Sequence, residues 1–251
     1  MKALVTGASS GIGRDIVREL AKRNIDLIIV ARDIENLNIV KDSIKNVNVE
    51  VIAKDLSKEE NCIELYEQVK NQDIGILVNN AGFGTFGEFT KTPLEKELNM
   101  IRTNVIAVHI LTKLFLQDME KKNKGYILNV ASSAGFMPGP LMAGYYSTKA
   151  YVLRLTQALK EELKRKNVNV KLSVLCPGPV NTNFNNVANV KFKAKALSSK
   201  YVARYTVNKM LKGKFCIVPG FQIKAVRFFS KIIPDSLMAK MAYNVQVGKR
   251  Q

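Results

Sequence analysis

Short apolar runs alternate with longer amphipathic stretches along the first 220 residues of the chain. Apolar runs of roughly four to eight residues are typical of buried strands, and apolar residues that recur every three or four positions are typical of helices. The pattern predicts strands at 2–6, 26–31, 47–53, 74–79, 126–131, 168–175 and 215–218. It predicts helices that end near residues 23, 45, 70, 122, 166 and 212. This alternation predicts an α/β fold with one doubly wound parallel sheet of about seven strands and helices on both faces.

A glycine-rich turn connects the first predicted strand to the first helix, and residues 6–13 read TGASSGIG. Glycines allow a tight turn and a close approach of the backbone to a phosphate, and the helix N-terminus behind them presents free N–H groups. The alternative is a plain connection between a strand and a helix. The order strand, glycine turn, helix favours nucleotide binding. The predicted contacts in the turn are Gly7, Ser9, Ser10, Gly11, Ile12 and Gly13.

The end of the second strand predicts which nucleotide is bound. In a dinucleotide-binding fold an acid at this place bonds the ribose 2′-hydroxyl and repels a 2′-phosphate. This chain has Ala31 and then Arg32, and a guanidinium binds phosphate with two parallel hydrogen bonds. We therefore predict NADP(H) rather than NAD(H). Asp33 follows, and it either pairs with Arg32 or caps the next helix.

Two further strand ends carry polar or small residues. Asp55 follows the third strand, where it either accepts a hydrogen bond from the adenine amine or is simply an acid at a helix start; Ser57 is the predicted cap of that helix. The fourth strand ends in Asn79, Asn80, Ala81 and Gly82. Small residues at a strand end let the cofactor lie against the backbone. The two asparagines are predicted to tie neighbouring strands together.

The strongest candidates for catalytic residues lie between positions 126 and 150. Tyr145 and Lys149 are four apart on a predicted helix and so share a face. An ammonium beside a phenol favours the phenolate, and lowering the tyrosine pKa from about 10 to neutrality needs about three units. A close cation together with the positive ring of a bound cofactor would supply this. Ser132, thirteen residues upstream at a strand end, would donate to the same substrate oxygen, and Ser133 is the rival serine. An ordinary helix pair is the alternative.

Other polar residues in apolar surroundings receive simpler interpretations. Asn104 lies inside the predicted helix 93–122, where asparagine is mildly unfavourable, so its side chain is either bonded internally or holds a water. His109 is interpreted as a packed helix residue and not as a ligand. The three cysteines, far apart in or beside apolar runs, form no metal-like cluster and are predicted to be buried free thiols of a reducing cytoplasm. They are Cys62, Cys176 and Cys216.

Charge is distributed unevenly along the 251 residues, whose net charge is +18. Residues 1–150 hold 19 Lys/Arg and 18 Asp/Glu, whereas residues 151–251 hold 20 Lys/Arg and 3 Asp/Glu. The C-terminal excess either is a lysine-rich solvated surface or attracts an anionic partner: a membrane surface, an acidic protein, a phosphorylated or carboxylated substrate, or nucleic acid. No aromatic-interleaved or helix-turn-helix signature of nucleic-acid binding accompanies it.

Residues 224–243 mix large apolar side chains with cations. This composition is typical of a helical segment on a membrane surface, and a helix that packs on a partner subunit is the alternative. Residues 1–220 are predicted to form the dinucleotide-binding and catalytic domain. Residues 221–251 are a basic amphipathic extension, not a separate domain, and residues 181–198 are a predicted flap. The sequence predicts no signal peptide and no membrane span. The mixed side chains are Phe228, Phe229, Ile232, Ile233, Leu237, Met238, Lys224, Arg227, Lys231 and Lys240.

Together these motifs closely resemble the classical short-chain dehydrogenase/reductases over about residues 2–220. The resemblance rests on Thr-Gly-x-x-x-Gly-x-Gly at 6–13, Asn-Asn-Ala-Gly at 79–82, Asn104, the spacing of Ser132 to Tyr145-x-x-x-Lys149, and Pro-Gly at 177–178. It implies a Rossmann-type fold, no metal, and a homodimer or homotetramer. It also implies transfer of hydride to a ketone or aldehyde, which yields an alcohol.

The resemblance assigns the catalytic roles. Tyr145 donates the proton, Lys149 lowers its pKa and holds the nicotinamide ribose, Ser132 positions the carbonyl, and Asn104 holds a relay water. The loop from Pro177 to Thr182 would contact the nicotinamide. The full set of implied cofactor contacts is Gly7, Ser9, Ser10, Gly11, Ile12, Gly13, Arg32, Asp55, Leu56, Asn80, Ala81, Gly82, Tyr145, Lys149, Pro177, Gly178, Val180 and Thr182.

The substrate is predicted only by class. The Phe- and Gly-rich loop 83–87 resembles the corresponding loop in a subgroup of the family that acts on lipid-like or acyl carbonyls. A 3-oxoacyl-carrier-protein reductase is one alternative, because a positive C-terminal region suits an acidic carrier. A non-catalytic protein that senses NADP(H) is the other, although a pure binder would not need the four catalytic residues. The predicted location is the cytoplasm, with peripheral membrane contact through the tail.

Overall fold

The computed structural model of the chain describes residues 1–182, 184 and 196–247. The predicted flap at 181–198 therefore lies partly outside the described residues, and the last four residues of the C-terminal extension lie wholly outside them. The strands are β1 Lys2–Thr6, β2 Asp26–Ala31, β3 Val49–Ala53, β4 Ile74–Asn79, β5 Gly125–Val130, β6 Val170–Leu175, β7 Val180–Asn181, β8 Leu197–Ser198 and β9 Cys216–Ile217. Seven of them form one parallel sheet in the order β3-β2-β1-β4-β5-β6-β9, and β7 and β8 pair separately. The predicted fold class is confirmed.

Helices cover both faces of the sheet. They are α1 Gly11–Ala21, α2 Ile34–Asp42, α3 Glu59–Val69, α4 Leu94–Ile101, α5 Ala107–Lys121, α6 Ala143–Arg165, α7 Ser199–Leu211, α8 Phe221–Phe229 and α9 Asp235–Val247. Alternate residues of each central strand point to opposite faces. Val5 packs in one core with α1, α2 and α7, whereas its neighbour Leu4 packs in the other with α3 and α5. The central strands are apolar throughout because both faces are buried.

Two local predictions are wrong. Ser57 does not cap α3: the helix begins after Lys58 without a side-chain cap, and the Ser57 N–H instead donates to the Asp55 carboxylate at 3.1 Å. His109 is exposed rather than packed, and its Nδ1 lies 2.7 Å from the Tyr151 hydroxyl. The predicted helix 93–122 is also divided, because a π-helical turn at Arg102–Ile106 separates α4 from α5.

Buried polar side chains tie the central strands together, as predicted for the paired asparagines. Asn79 on β4 donates to Asn129 on β5 at 2.9 Å and to Thr112 on α5 at 3.0 Å. Asn129 in turn donates to Thr156 on α6 at 3.0 Å. Asn80 donates to the carbonyls of residues 6 and 7 at 3.0 Å, which joins the end of β4 to the loop after β1. This network fixes the carboxyl ends of the central strands, where the site is built.

The C-terminal helices pack against the body of the protein through a few side chains. Gln246 on α9 is buried and donates to the Tyr146 hydroxyl at 2.7 Å. Ile223 on α8 fills the space over Gly178, where an added Cβ would overlap it. Other apolar side chains on these helices point outward, among them Phe221 and Phe228. In the described part of the chain, no helix is long and apolar enough to cross a membrane.

We predict that Asn129→Ala lowers the free energy of unfolding by about 2–4 kcal/mol, because Asn79, Thr112 and Thr156 each lose one buried hydrogen bond. Urea unfolding measures the change. Asn38→Ala on the exposed face of α2 is the matched control and should change the free energy of unfolding by less than about 0.5 kcal/mol. Equal small changes in both variants would contradict a structural role for the network.

Candidate active site

A cleft of about 930 Å³ opens at the carboxyl ends of the strands. It lies where β1 and β4 are neighbours and the chain winds away from them in opposite directions, which is the usual ligand site of an open α/β sheet. Of the predicted site residues, all line the cleft except Gly13 and Asn104. Those two lie immediately behind its wall.

The glycine turn after β1 forms the central part of the cleft, between the residues that follow β2 and those that follow β5. Gly7 has φ +63°, and a Cβ there would lie 2.8 Å from the Ala81 Cα. A Cβ on Gly13 would overlap the Gly7 carbonyl oxygen, so Gly13 serves close packing beneath the turn rather than contact with a ligand. Ser10 is the N-cap of α1, yet no side chain caps the helix. The first N–H groups of α1 are therefore free to bind an anion, which fits a pyrophosphate.

Polar and cationic residues line the part of the cleft beside the glycine turn, where β2 and β3 end. Asp33 caps α2 by accepting from the Asn36 N–H at 3.0 Å, and this hydrogen bond lowers the pKa of the Asp33 carboxyl. Of the two roles considered for Asp33, the structure therefore selects the cap. Among the described residues no carboxylate forms an ion pair with Arg32. Its guanidinium is available to a ligand at the lip of the cleft.

The predicted catalytic residues meet on the other side of the glycine turn, in the part of the cleft between the end of β5 and α6. Ser132 follows β5, and its hydroxyl accepts from the Ala134 N–H at 3.1 Å and lies close enough to the Tyr145 hydroxyl, near the start of α6, to lower the pKa of that tyrosine. Ser133 begins a short 3₁₀ turn, and its N–H donates to the Pro177 carbonyl at 2.8 Å. The Lys149 ammonium lies 5.9 Å from the centre of the Tyr145 ring. The structure thus places Ser132, rather than Ser133, against the tyrosine hydroxyl.

Burial dominates the protonation of this pair. Desolvation raises the pKa of Tyr145 to about 12, while the hydrogen bond from Ser132 lowers it. Desolvation also lowers the pKa of Lys149 to about 8. The protein alone therefore shifts the Tyr145 pKa in the direction opposite to the one predicted for the complete site. The prediction also included the positive ring of an oxidised nicotinamide cofactor, a charge that would come from the ligand and not from the protein.

Asn104 is held at the π-helical turn by three hydrogen bonds. Its amide donates to the Phe83 carbonyl at 2.8 Å and to the Thr148 hydroxyl at 3.1 Å, and its Oδ1 accepts from the Phe83 N–H at 3.0 Å. Both amide hydrogens are therefore used within the protein. A relay water at Asn104 would need an acceptor, either its backbone carbonyl or the second lone pair of Oδ1.

An apolar wall flanks the tyrosine. The Phe184 ring lies 5.3 Å from that of Tyr145, and both approach Gly84, where a Cβ would be 2.8 Å from Phe184. Phe83, Met142 and Tyr146 complete this part of the cleft. A substrate carbonyl that reaches the tyrosine hydroxyl therefore enters surroundings that favour an apolar molecule.

Sequence reasoning missed several lining residues. Arg14 directly follows the glycine turn, so its place at the start of α1 was a usable signal. Met142 and Phe184 carry no motif, and Gln246 comes from 100 residues away in sequence to hold Tyr146. No local pattern announces such long-range contacts. Among the described residues no group of three or more His, Cys, Asp or Glu side chains is arranged to hold a metal ion.

Comparisons with known proteins agree with this geometry. A family model described as short chain dehydrogenase matches residues 1–191. The chain is 35% identical to human 17-beta-hydroxysteroid dehydrogenase type 3, over 72% of this chain and 59% of that protein. It is 37% identical to very-long-chain 3-oxoacyl-CoA reductase of Mus musculus, over 67% of this chain and 56% of that protein. The chain thus spans less than two thirds of the length of these curated relatives.

Solved structures share the whole fold. A short-chain dehydrogenase from Sphingobium yanoikuyae in complex with NADPH superimposes with a TM-score of 0.85 and 26% identity, over 94% of both chains. A short chain dehydrogenase/reductase from Burkholderia phymatum in complex with NAD superimposes with a TM-score of 0.84 and 25% identity, again over 94% of both chains. Neighbours with either nicotinamide cofactor therefore share this architecture.

We predict that Lys149→Met stabilises the unliganded protein near neutral pH. The folded pKa of about 8 is below the ordinary 10.5, so above pH 8 the unfolded chain keeps a proton that the folded protein has lost. Wild-type stability at this site therefore rises with pH, and the variant lacks that rise. The advantage of Lys149→Met should shrink by about 2 kcal/mol between pH 7 and pH 9.5.

Urea unfolding of both proteins at several pH values measures this difference. Lys113→Met removes an exposed lysine on α5 and is the control, whose difference from the wild type should not depend on pH. A constant difference for Lys149→Met would mean that the ammonium is not desolvated.

Proposed function

The chain belongs to the short-chain dehydrogenase/reductase family, and we propose that it is an NADP(H)-dependent reductase of a bulky apolar ketone or aldehyde. The family is one of oxidoreductases with nicotinamide cofactors. The observation that supports reduction in this chain is the Tyr145 hydroxyl, which is bonded to Ser132 and lies beside the buried Lys149. This arrangement places a proton donor and a second hydroxyl at one point of an apolar cleft.

In the proposed reaction the nicotinamide, when bound, supplies the hydride to the carbonyl carbon. The Ser132 hydroxyl donates a hydrogen bond to the carbonyl oxygen and holds it beside Tyr145. As negative charge develops on that oxygen, Tyr145 gives up its proton and the alcohol forms. Lys149, which donates to the Val130 carbonyl at 2.9 Å, stabilises the tyrosinate left behind. Asn104, fixed on Phe83 and Thr148, holds the water that returns the proton.

The choice of NADP(H) rests on the cations at the adenosine end. Arg32 has no carboxylate partner in the described chain, whereas Arg14, which also lines the cleft, donates from Nε to the Asp15 carboxylate at 3.2 Å. A ribose 2′-phosphate would therefore bind the Arg32 guanidinium. The acid that follows, Asp33, is committed to the cap of α2 and does not take the place of the ribose-binding carboxylate. Asp55 and Leu56 line the cleft where the adenine is proposed to lie.

The apolar wall supports a bulky substrate. The relatives named above are a hydroxysteroid dehydrogenase and a very-long-chain 3-oxoacyl-CoA reductase, whose names describe a steroid alcohol and a long-chain 3-oxoacyl thioester, both with large apolar parts. Phe83, Met142 and Phe184 would contact such a molecule on the open side of Tyr145. A 3-oxoacyl-carrier-protein reductase remains the second candidate, because the positive C-terminal region suits an acidic carrier. A sensor of NADP(H) would not require the pairing of Ser132 with Tyr145.

The organisation of the working protein is also part of the proposal. Residues 1–220 and the C-terminal helices would act as one catalytic unit, since Ile223 and Gln246 support residues of the cleft. A homodimer or homotetramer is the proposed assembly. The three cysteines are buried and form no disulfide, which supports a reducing compartment such as the cytoplasm.

We predict that Tyr145→Phe lowers kcat by about 10²–10⁴-fold, because it removes the proton donor. NADPH consumption should be measured against short ketones, aldehydes, steroids and 3-oxoacyl thioesters, with and without a carrier protein. Tyr151→Phe, on the exposed side of α6, is the matched control and should keep full activity. Tight NADPH binding without turnover on any carbonyl would instead favour the sensor.

We predict that Arg32→Ala raises the KM for NADPH by about 10–100-fold, since a charged hydrogen bond to phosphate contributes about 1.5–3 kcal/mol. The KM for NADH should change less than about threefold. Steady-state kinetics with both cofactors test this, and Arg154→Ala on the exposed face of α6 is the control. Equal losses for the two cofactors would exclude Arg32 as the 2′-phosphate ligand.

A further inference from the structure

A second cavity, of about 510 Å³, lies between α7, β9 and α8. It shares no lining residue with the cofactor cleft. Ile217, Val218 and Phe228 give it an apolar floor and one apolar wall. Five cationic side chains surround it, namely Lys209, Lys214, Lys224, Arg227 and Lys231. Lys224, Arg227 and Lys231 follow the spacing i, i+3, i+7, which places them along one side of α8 and the turn after it.

These cations are not neutralised by the part of the chain that the structure describes. No carboxylate lines the cavity, and none of the five cations takes part in an ion pair there. Of the three acids in residues 151–251, Glu161 is already paired with Arg165. Five like charges around one concave, partly apolar surface focus a positive potential that an anion would relieve.

The cations also act on the thiol of Cys216, which lines the cavity. The pKa of Cys216 is lowered to about 7, first by a hydrogen bond with Cys176 and then by Arg227, Lys214 and Lys231, against the effect of burial. The positive field therefore extends to the floor of the cavity rather than staying at the tips of solvated lysines.

Large apolar side chains are exposed on α8, on the turn that follows it and on α9. Phe228, which is 60% exposed, forms part of the wall, and Phe229 and Ile232 next to it are 52% and 64% exposed. Along α9, Leu237, Met241 and Val245 are exposed at spacings of four, while Met238 and Ala242 face the protein. Cations beside an exposed apolar surface are typical of helices that lie at a membrane interface.

The charge and the apolar surface together select the occupant. A second copy of the chain, related by a two-fold axis, would bring the same five cations against themselves, which is repulsive. A nucleic acid would neutralise the cations but leave Ile232, Leu237 and Met241 exposed. A phospholipid carries a phosphate and acyl chains in one molecule, and therefore satisfies both features.

We propose that this surface binds anionic phospholipid at a membrane, with the headgroup phosphate among Lys214, Arg227 and Lys231 in the cavity. Phe228, Phe229 and Ile232 then lie at the boundary between headgroups and acyl chains. In this site the positive charge of the C-terminal region makes a specific contact with the lipid headgroup. It does not depend on the carbonyl or the cofactor proposed above, because it shares no residue with the cleft.

Vesicle co-sedimentation of the full chain tests the proposal. Vesicles of phosphatidylcholine alone are compared with vesicles that contain about 30% phosphatidic acid, at about 0.15 M salt. We expect binding to the anionic vesicles only. The triple variant Lys214→Gln, Arg227→Gln, Lys231→Gln should bind about 100-fold more weakly, since three cations near an anionic surface are removed.

The matched control removes the same charge elsewhere. Lys41→Gln, Lys113→Gln and Lys122→Gln lie on the exposed surface of other helices or just beyond one, and should weaken binding less than about threefold. Circular dichroism and thermal unfolding establish that both variants are folded. Equal losses in the two variants would show attraction by net charge alone and would overturn the cavity as the site.

The apolar contribution is tested separately. Phe228→Ser, Phe229→Ser and Ile232→Ser should abolish the part of the binding that resists 0.5 M salt, because screening removes most of the electrostatic part at about that concentration. Ile39→Ser, Phe89→Ser and Leu94→Ser, which are at least as exposed on average, are the control and should leave it unchanged. Binding that is wholly lost at high salt in the wild type would contradict insertion of the phenylalanines.

Three other results would overturn the proposal. Thermal stabilisation by inorganic pyrophosphate through the same three cations, with no vesicle binding, would assign the cavity to a soluble phosphate. Tighter binding to single-stranded or duplex DNA than to anionic vesicles, lost in the same variant, would assign it to nucleic acid. Dimerisation that is lost in the serine variant, with no vesicle binding, would assign the apolar surface to a second copy.

Discussion

Lys149 is a buried cation with no carboxylate beside it in the described chain, and the arrangement of the site follows from that fact. Its side chain is 5% exposed, and its ammonium donates to the Val130 carbonyl at the end of β5. Keeping the charge there costs about 3 kcal/mol at neutral pH, judged from a pKa lowered from 10.5 to about 8. A protein tolerates such a cost where the charge is used. Here the positive charge lies beside the ring of Tyr145, whose own pKa burial raises to about 12.

The sheet supplies the rigidity that this charge requires. The ends of β1, β4 and β5 are fixed by asparagine side chains that bridge one strand to the next. Asn104 fixes the loop after β4 in the same way, through both backbone groups of Phe83. The cleft therefore has a floor that does not depend on a ligand for its shape. Burial within the cleft raises the pKa of Tyr145, so any shift toward the tyrosinate would have to come from a bound ligand.

The sequence predicted most closely what local patterns determine. β1, β2 and β4 have the predicted bounds, because a strand buried on both faces is a continuous apolar run between polar ends. The spacing of Ser132, Tyr145 and Lys149 predicted their meeting, since it combines a strand end with one helix face. Ser57 failed as a cap because α3 begins two residues later, and the Asp55 carboxylate accepts the Ser57 N–H instead. Asp55 and Ser57 both satisfy the local rule for a helix N-cap, yet the helix begins after Lys58 and neither of them caps it.

Other features depend on contacts that no short pattern contains. The π-helical turn at 102–106 is stabilised by bonds from Asn104 to residues 21 and 44 positions away. The direction of the Tyr145 pKa depends on total burial, to which Phe184 and Met142 contribute from loops without motifs. The uneven charge was visible in the sequence, but its concentration around one cavity required the packing of α7, β9 and α8.

Helix α8 separates the two cavities and contributes to both. Ile223 packs over Gly178 in the loop that lines the cofactor cleft, while Lys224 and Arg227 line the cationic cavity. Arg227 also lies 6.0 Å from the ring of Phe136, which ends the 3₁₀ turn that follows Ser132. An anion bound among the cations therefore acts on a helix whose other side supports the active site.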